Sequence, residues 1–447
     1  MSLKVLKLLI PAILIELGLT WVLLFEPIEL RVVETIAILV GTSAVYIISA
    51  GLILKKRQPE PERWTMAVII GFALLFRITI WPLSPGFTDD LYRYRWEARA
   101  LNAGLNPYYI APNDLRASAL KDETFTKITG RDFAAVYGPL IELVNRGFYS
   151  VFSRFTSDPR KQIFWLKLPA ALFELGVLAG IGALLRAHRQ PGERLLLYAW
   201  SPLPVFEFWG NGHNDTVMLC ALVWAFWAAE KGWGKSAFSL LGAATAAKLW
   251  PAALLPVFLA RRGWKPARLW EPCLLPAVAL AFLVPFGWGI LGNLPFVSGF
   301  LGGWRNNDSF FGALLWITGD VYRAKYSAFA LLLIAVAVAS FSSMSRTKAA
   351  LVVIIVMLLV SANCHPWYLS WILILVPLHP SLGLLAWTAL TPLAYHALPA
   401  WIVLSEWHGS TPMRWFIYAP VFAVLILEFL RSSRPDPPES AKNPAPA

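Results

Sequence analysis

Residues 32–54 read VVETIAILVGTSAVYIISAGLIL, a stretch with one charged position, and Lys55-Lys56-Arg57 follow at once. An apolar run of about 20 residues is long enough to cross the hydrocarbon core of a bilayer as a helix. A basic cluster at its end marks the cytoplasmic side. The pattern recurs along the chain, giving further expected spans at 5–25, 64–83, 162–185, 194–210, 214–230, 269–290, 324–343, 349–363, 366–379, 381–398 and 414–431. Composition agrees: 57% of the 447 residues are apolar, mean hydropathy is +0.57, and only 15% are charged. A soluble domain has about a quarter of its residues charged, so this chain cannot cover a water-facing surface. A transmembrane β-barrel would show alternating segments of about ten residues instead. The expected fold is an all-α polytopic membrane protein with about 12–14 transmembrane helices.

The charge balance is +12, with 39 Lys and Arg against 27 Asp and Glu. In a soluble protein that excess would suggest nucleic acid. Here the cations sit in short connectors, where they report orientation and headgroup contact. Clusters at 55–57 with Arg63, at Arg186/Arg189/Arg194, Lys231/Lys235, Arg261/Arg262/Lys265/Arg268 and Arg346/Lys348 are all expected on the cytoplasmic side, with the N-terminus. That topology makes 84–161 one extracytoplasmic loop and requires 236–260 to enter and return, since both its flanks are basic. Lys248 and Pro251 in its middle suit a broken or re-entrant hairpin. Residues 1–434 then form one transmembrane domain, and the Pro- and Ala-rich tail 435–447 is expected to be disordered. Many of the 22 Trp fall near span ends, as an interfacial aromatic belt requires. Cys220, Cys273 and Cys364 form neither a disulfide framework nor a zinc pattern.

In this topology four polar clusters meet one membrane face: Thr88-Asp89-Asp90, Asn211-Gly-His213-Asn-Asp215, Asn306-Asn-Asp308 and Asn363-Cys-His365-Pro-Trp-Tyr368. Ionisable groups at membrane depth are costly and mark sites. Asp90 suits a base that takes an acceptor proton, and nearby cations suit a departing phosphate. Equally, Asp89 and Asp90 could simply pair with Arg93 and Arg95 in an interfacial anchor. Asp215 could cap a helix, or bind substrate hydroxyls together with His213. Lys248 could meet a lipid phosphate or snorkel to an interface. His365 could protonate or hydrogen-bond a phosphate, or belong to the aromatic belt beside Trp367 and Tyr368. His213, His365 and the Asp pair lack the i, i+4 spacing of helical metal ligands. Asn214-Asp-Thr216 and Asn307-Asp-Ser309 match the N-glycosylation pattern, a short match close to the membrane.

Asp89-Asp90-Leu-Tyr92-Arg93-Tyr94-Arg95-Trp96 with Gly104-Leu-Asn-Pro-Tyr108, then Gly212-His-Asn-Asp215, Ala247-Lys-Leu-Trp-Pro251 and His365-Pro-Trp-Tyr368, together resemble the GT-C glycosyltransferases. Within them the polyprenyl-phosphate-mannose-dependent mannosyltransferases look most similar. The resemblance implies a helical membrane core, amphipathic helices in the first large extracytoplasmic loop, and a lipid-monophosphate sugar donor in place of a nucleotide sugar. It also implies inversion at the anomeric carbon and an essential carboxylate at the start of that loop. Asp90 best matches that carboxylate, with Asp89 an accessory. Thr88 stands where many relatives carry an acid, and Tyr137-Gly138-Pro139 replaces a Tyr-Pro-Pro element.

The function expected is in-line transfer of a hexose, mannose above others, to a hydroxyl of a lipid or glycan. Asp90 would take the acceptor proton. Arg93, Arg95, Lys248 and His365 would hold the donor phosphate, and Tyr92, His213, Asp215 and Tyr368 the substrates. No cofactor, metal or nucleic acid is expected. The setting is the plasma membrane, with the site on its outer face. A flippase or secondary transporter is the alternative, but such proteins show inverted repeats and midplane acids. No repeat is visible here.

Overall fold

The computed structural model describes residues 3–54, 63–261, 266–287, 305–404 and 411–432. The expected tail 435–447 and the basic clusters at 55–57, 262 and 265 lie outside the described residues. Helices dominate; an isolated bridge between Asn306 and Asn363 is the nearest approach to a sheet among the described residues. Among the described residues five helical segments are long and apolar enough to cross a membrane: Val5–Leu24, Val32–Leu54, Pro159–Ala187 (with a turn at Leu166–Lys167), Val321–Phe341 and Thr411–Arg431. Trp316, Phe341 and Phe429 stand 85%, 89% and 69% exposed, an outward apolar surface that suits acyl chains. The protein is membrane-embedded.

The expected spans at 64–83, 214–230 and 349–363 are shorter continuous helices, Arg63–Ile80, Asp215–Glu230 and Arg346–Val360, whereas three others are broken at prolines, which cannot donate the helical hydrogen bond. Segment 194–210 divides into Leu196–Ala199, Pro202–Pro204 and a π-helical Val205–Gly210. Segment 381–398 passes from Leu382–Leu390 into a 3-10 stretch Thr391–Ala397 beginning beside Pro392. Segment 366–379 opens with a 3-10 turn, Pro366–Leu369, before the short helix Ser370–Leu373. A helix at Phe310–Thr318 is not among the expected spans. The 84–161 region holds the helices Asp90–Asn102 and Pro139–Phe152, packed on each other.

The hairpin at 236–260 has the enter-and-return course. Gly234–Ala247 is helical; Lys248 is extended at φ −145° and ψ 139°; Trp250–Leu254 and Leu255–Ala260 then lead back. Arg346 donates to Glu230 Oε1 at 2.8 Å and to the Arg261 carbonyl at 3.0 Å. The end of the Asp215–Glu230 helix and the end of the returning segment therefore lie together. At the opposite end of that helix Lys248 meets Asp215. Gly138 explains how the break is accommodated. A Cβ there would lie 2.2 Å from the Ala246 carbonyl oxygen and 2.4 Å from that of Ala247. The glycine that departs from Tyr-Pro-Pro thus lets the loop seat directly on the helix break.

Two buried cations set the approach to the Asp pair. Arg77 forms a two-pronged pair with Glu174, at 2.9 and 2.5 Å, and donates to the Ala199 carbonyl at 2.9 Å. A buried pair is tolerated when its remaining hydrogen bonds are met, as they are here. Lys167 Nζ donates to the carbonyls of Trp81 and Leu83 at 2.6 and 2.7 Å. It thereby pins the strand of chain that leads from the Arg63–Ile80 helix towards Asp89.

Candidate active site

The Asp90–Asn102 helix begins at Asp90, whose N–H donates to Thr88 Oγ1 at 3.1 Å. Thr88, the departure from an acidic residue, acts as the local helix-start partner. A carboxylate at a helix start is favoured by the backbone dipole. Asp90 faces a cavity of about 310 Å³ that is also lined by Asp89, Arg93, Asp215, Lys248, Asn306, His365 and Tyr368. Segments far apart in sequence therefore share one site.

On one wall Tyr94 Oη donates to Asp90 Oδ2 at 3.2 Å; His213 Nε2 lies 3.8 Å from the same oxygen, but its fully buried side chain stands behind the lining and not in it. Asp89 accepts a short hydrogen bond from the Thr129 hydroxyl. Burial, and then the adjacent Asp90 charge, push the Asp89 carboxyl up to about 7. On the floor Lys248 Nζ and Trp371 Nε1 both donate to Asp215 Oδ1 at 2.7 Å. The ammonium also stands 5.0 Å from the Tyr368 ring centroid and 5.4 Å from that of Trp371. Rings in such positions attract a cation without neutralising it.

The third wall is tied by backbone. Asn306 donates to the Ala362 carbonyl at 3.1 Å and Cys364 to the Asn306 carbonyl at 2.9 Å. The Asn306 amide then meets His365 Nδ1 at 2.9 Å. Burial, followed by the His213 and Lys248 charges, depresses His365 to about 3, so its imidazole is neutral. Trp367 lies sandwiched between two imidazoles, 3.9 Å from His213 and 4.5 Å from His365 between centroids.

Not every residue singled out in the sequence reaches this cavity. Arg95 does not: it is engaged by Asp122 at 2.7 Å, Gln162 at 2.8 Å and Thr124 at 3.1 Å. Its place on the inner face of the Asp90–Asn102 helix turns it towards the loop. Arg93 touches the cavity but is held by Glu97 at 2.5 Å and by the carbonyls of Gly130 and Phe133 at 2.9 and 2.7 Å. Its hydrogen bonds shape the rim, not a phosphate cradle. Tyr92 packs in the loop and accepts from Lys127 at 3.4 Å. Neither Asp pairs with Arg93 or Arg95, so the anchoring alternative gives way. Asp215 meets Lys248, not only a helix end. Asn214 and Asn307 of the glycosylation patterns are both buried.

Among the described residues no group of three or more His, Cys, Asp or Glu is placed to hold a metal ion. Thr129 and Glu207 are not among the residues singled out in the sequence, and Tyr94 and Asn306 stand there only as members of quoted clusters. Glu207 had a signal: a lone acid in the apolar stretch 194–210.

A helical membrane protein whose carboxylates and ammonium converge on one cavity has the outline of a group-transfer enzyme. Residues 14–262 match the family of the alpha-(1->6)-mannopyranosyltransferase N-terminal domain, and the chain belongs to that family. It is a glycosyltransferase that transfers mannose, as the GT-C resemblance implies. The match covers Asp89, Asp90, His213, Asp215 and Lys248 and ends before Asn306 and His365. No curated protein and no solved structure gives a significant match.

Proposed function

We propose that this chain moves mannose from a polyprenyl-monophosphate donor to a hydroxyl of a lipid or glycan acceptor, inverting at the anomeric carbon, with Asp90 as general base. The observation that carries the reading is the sharing of one cavity by Asp90 and Lys248. As the new C–O bond forms, the acceptor proton passes to Asp90. The bond to phosphate breaks on the opposite side of the sugar carbon, and its electron pair leaves with the phosphate. Lys248 and the neutral His365 face that negative charge, which is where fixed donors stabilise a transition state. Inversion follows from a single displacement. A phosphate is already a good leaving group, so the step runs without a second acid and, in this reading, without a metal.

The polar walls and the apolar side chains of Phe87, Leu398 and Trp401 at the same cavity support a donor that is part sugar phosphate, part hydrocarbon. The basic connectors support an active site on the outer face of the plasma membrane with the N-terminus cytoplasmic. An alpha-(1->6) linkage is the one the family's description names. The test is to offer the purified protein polyprenyl-phosphate mannose or a nucleotide mannose with a membrane lipid extract, and to weigh the products. Free polyprenyl phosphate with a product one hexose larger is expected from the first donor only. Equal transfer from the nucleotide sugar, or lipid movement without a larger product, would refute the reading.

A further inference from the structure

Glu207 is a buried acid in a membrane-spanning stretch that the mechanism above leaves without a role. It lies in the π-helical turn Val205–Gly210, a wide turn of the kind that often marks functional sites. Its ion-pair partner among the described residues is His213, whose Nδ1 lies 3.0 Å from Glu207 Oε2. The His213 N–H also donates to the Glu207 carbonyl at 3.0 Å. The carboxylate itself is held by Tyr395 Oη at 2.8 Å and Asn211 Nδ2 at 3.1 Å. On its far side the same imidazole presents Nε2 to Asp90 Oδ2 at 3.8 Å, and Trp367 covers its face. The arrangement places one imidazole between two carboxylates, within 3.0 Å of the first and 3.8 Å of the second, and the second faces the cavity. A buried carboxylate at membrane depth is too costly to persist without a counter-charge. An imidazolium here answers both carboxylates at once. Asp215 on the next helix adds to the same field, and His365 stands beyond Trp367.

We propose that Glu207 is a positioning residue for mannosyl transfer: it holds His213 as the cation that faces Asp90 and keeps that carboxylate ionised to receive the acceptor proton. The inference rests on the assignment of Asp90 as the base. In the step itself the proton moves from acceptor hydroxyl to Asp90 and the electron pair departs with the phosphate; Glu207 and His213 exchange no atoms with substrate. Without the Glu207 charge, His213 holds its proton less tightly. Asp90 then loses a neighbouring cation, and its ionised form loses that stabilisation.

Glu207→Gln preserves shape and removes the charge. In the purified full chain in lipid nanodiscs it is expected to lower kcat about tenfold or more, with donor KM changed by less than about twofold. The acid limb of the pH–rate profile should move to higher pH. A merely structural role would lower the melting temperature without moving that limb. Tyr395→Phe, which loosens the same carboxylate without changing charge, should shift the limb in the same direction by less. It serves as the reading if Glu207→Gln fails to fold. On a His213→Gln background, adding Glu207→Gln should cause no further loss. If Asp90→Asn is inactive while Glu207→Gln, or Tyr395→Phe in its place, matches wild type in rate and pH profile, the Glu207 assignment alone is wrong. If Asp90→Asn still transfers mannose, the choice of base is what fails.

Discussion

Replacing Lys248 by Met separates the two tasks its ammonium performs. Lys248 and Asp215 lie 2.7 Å apart with side chains 17% and 2% exposed. At an effective dielectric of about 20, two charges at that distance attract by about 6 kcal/mol, an upper bound before desolvation is subtracted. Removing one partner of a buried pair typically costs about 3–5 kcal/mol because the other charge is left uncompensated. The lower end applies here, since Trp371 still donates to Asp215 and the lysine tip is partly wet. Lys248→Met alone should therefore destabilise the protein by about 3 kcal/mol. Losing a fixed donor to the departing phosphate should also cut kcat by about 10²- to 10³-fold. The informative variant is Lys248→Met with Asp215→Asn. With no charge left unpaired, stability should return to within about 1 kcal/mol of wild type, while transfer stays lost. Thermal melting in nanodiscs and transfer from polyprenyl-phosphate mannose read the two effects separately. A double variant that regains activity along with stability would show that Lys248 only supports the fold, and the phosphate role would be refuted.

Gly138→Ala should destabilise the protein by about 1–3 kcal/mol and depress transfer, because the new methyl group meets backbone, not a movable side chain. Melting and rate measurements check it; wild-type behaviour in both would mean the loop does not rest on the helix break. Asp89 gives a pH signature, since its carboxyl is raised from 3.8 to about 7 by burial and the Asp90 charge. Between those values the folded chain keeps a proton that the unfolded chain releases, so this group makes stability fall as pH rises through the window and level off above it. Asp89→Asn retains an acceptor for Thr129 and should lack that slope when melting is followed from pH 4.5 to 8, whereas equal slopes would contradict the assignment.

The membrane fold was legible because bilayer thickness imposes a long apolar run on every unbroken span, as in 32–54. The hairpin at 236–260 was legible for a different reason: basic flanks at both ends admit only an even number of crossings. Where spans break could not be read so well. Prolines at 202 and 204 signal a break, but the π-helical turn that follows depends on packing around Glu207. In the site, the Asp pair, Lys248 and His365 were visible as polar groups in apolar surroundings. The arginines misled for a physical reason. Arg93 and Arg95 lie on the same helix as Asp90, and sequence spacing does not say which helix face meets the cavity and which meets the loop. Of their partners, Gly130, Phe133 and Asp122 come from a stretch with no periodic signal, and Gln162 from the very start of an expected span. Glu207 went unassigned because its meaning lies in contacts to His213 and Tyr395, far from it in the chain or around a turn.

The most direct measurement is the single-turnover rate of mannosyl transfer by the Asp90→Asn variant, with its melting temperature and donor affinity recorded on the same preparation. A base that takes the acceptor proton contributes about 10²- to 10⁴-fold, so the rate should fall by that factor while melting and donor affinity stay near wild type. Transfer at close to the wild-type rate would contradict the account.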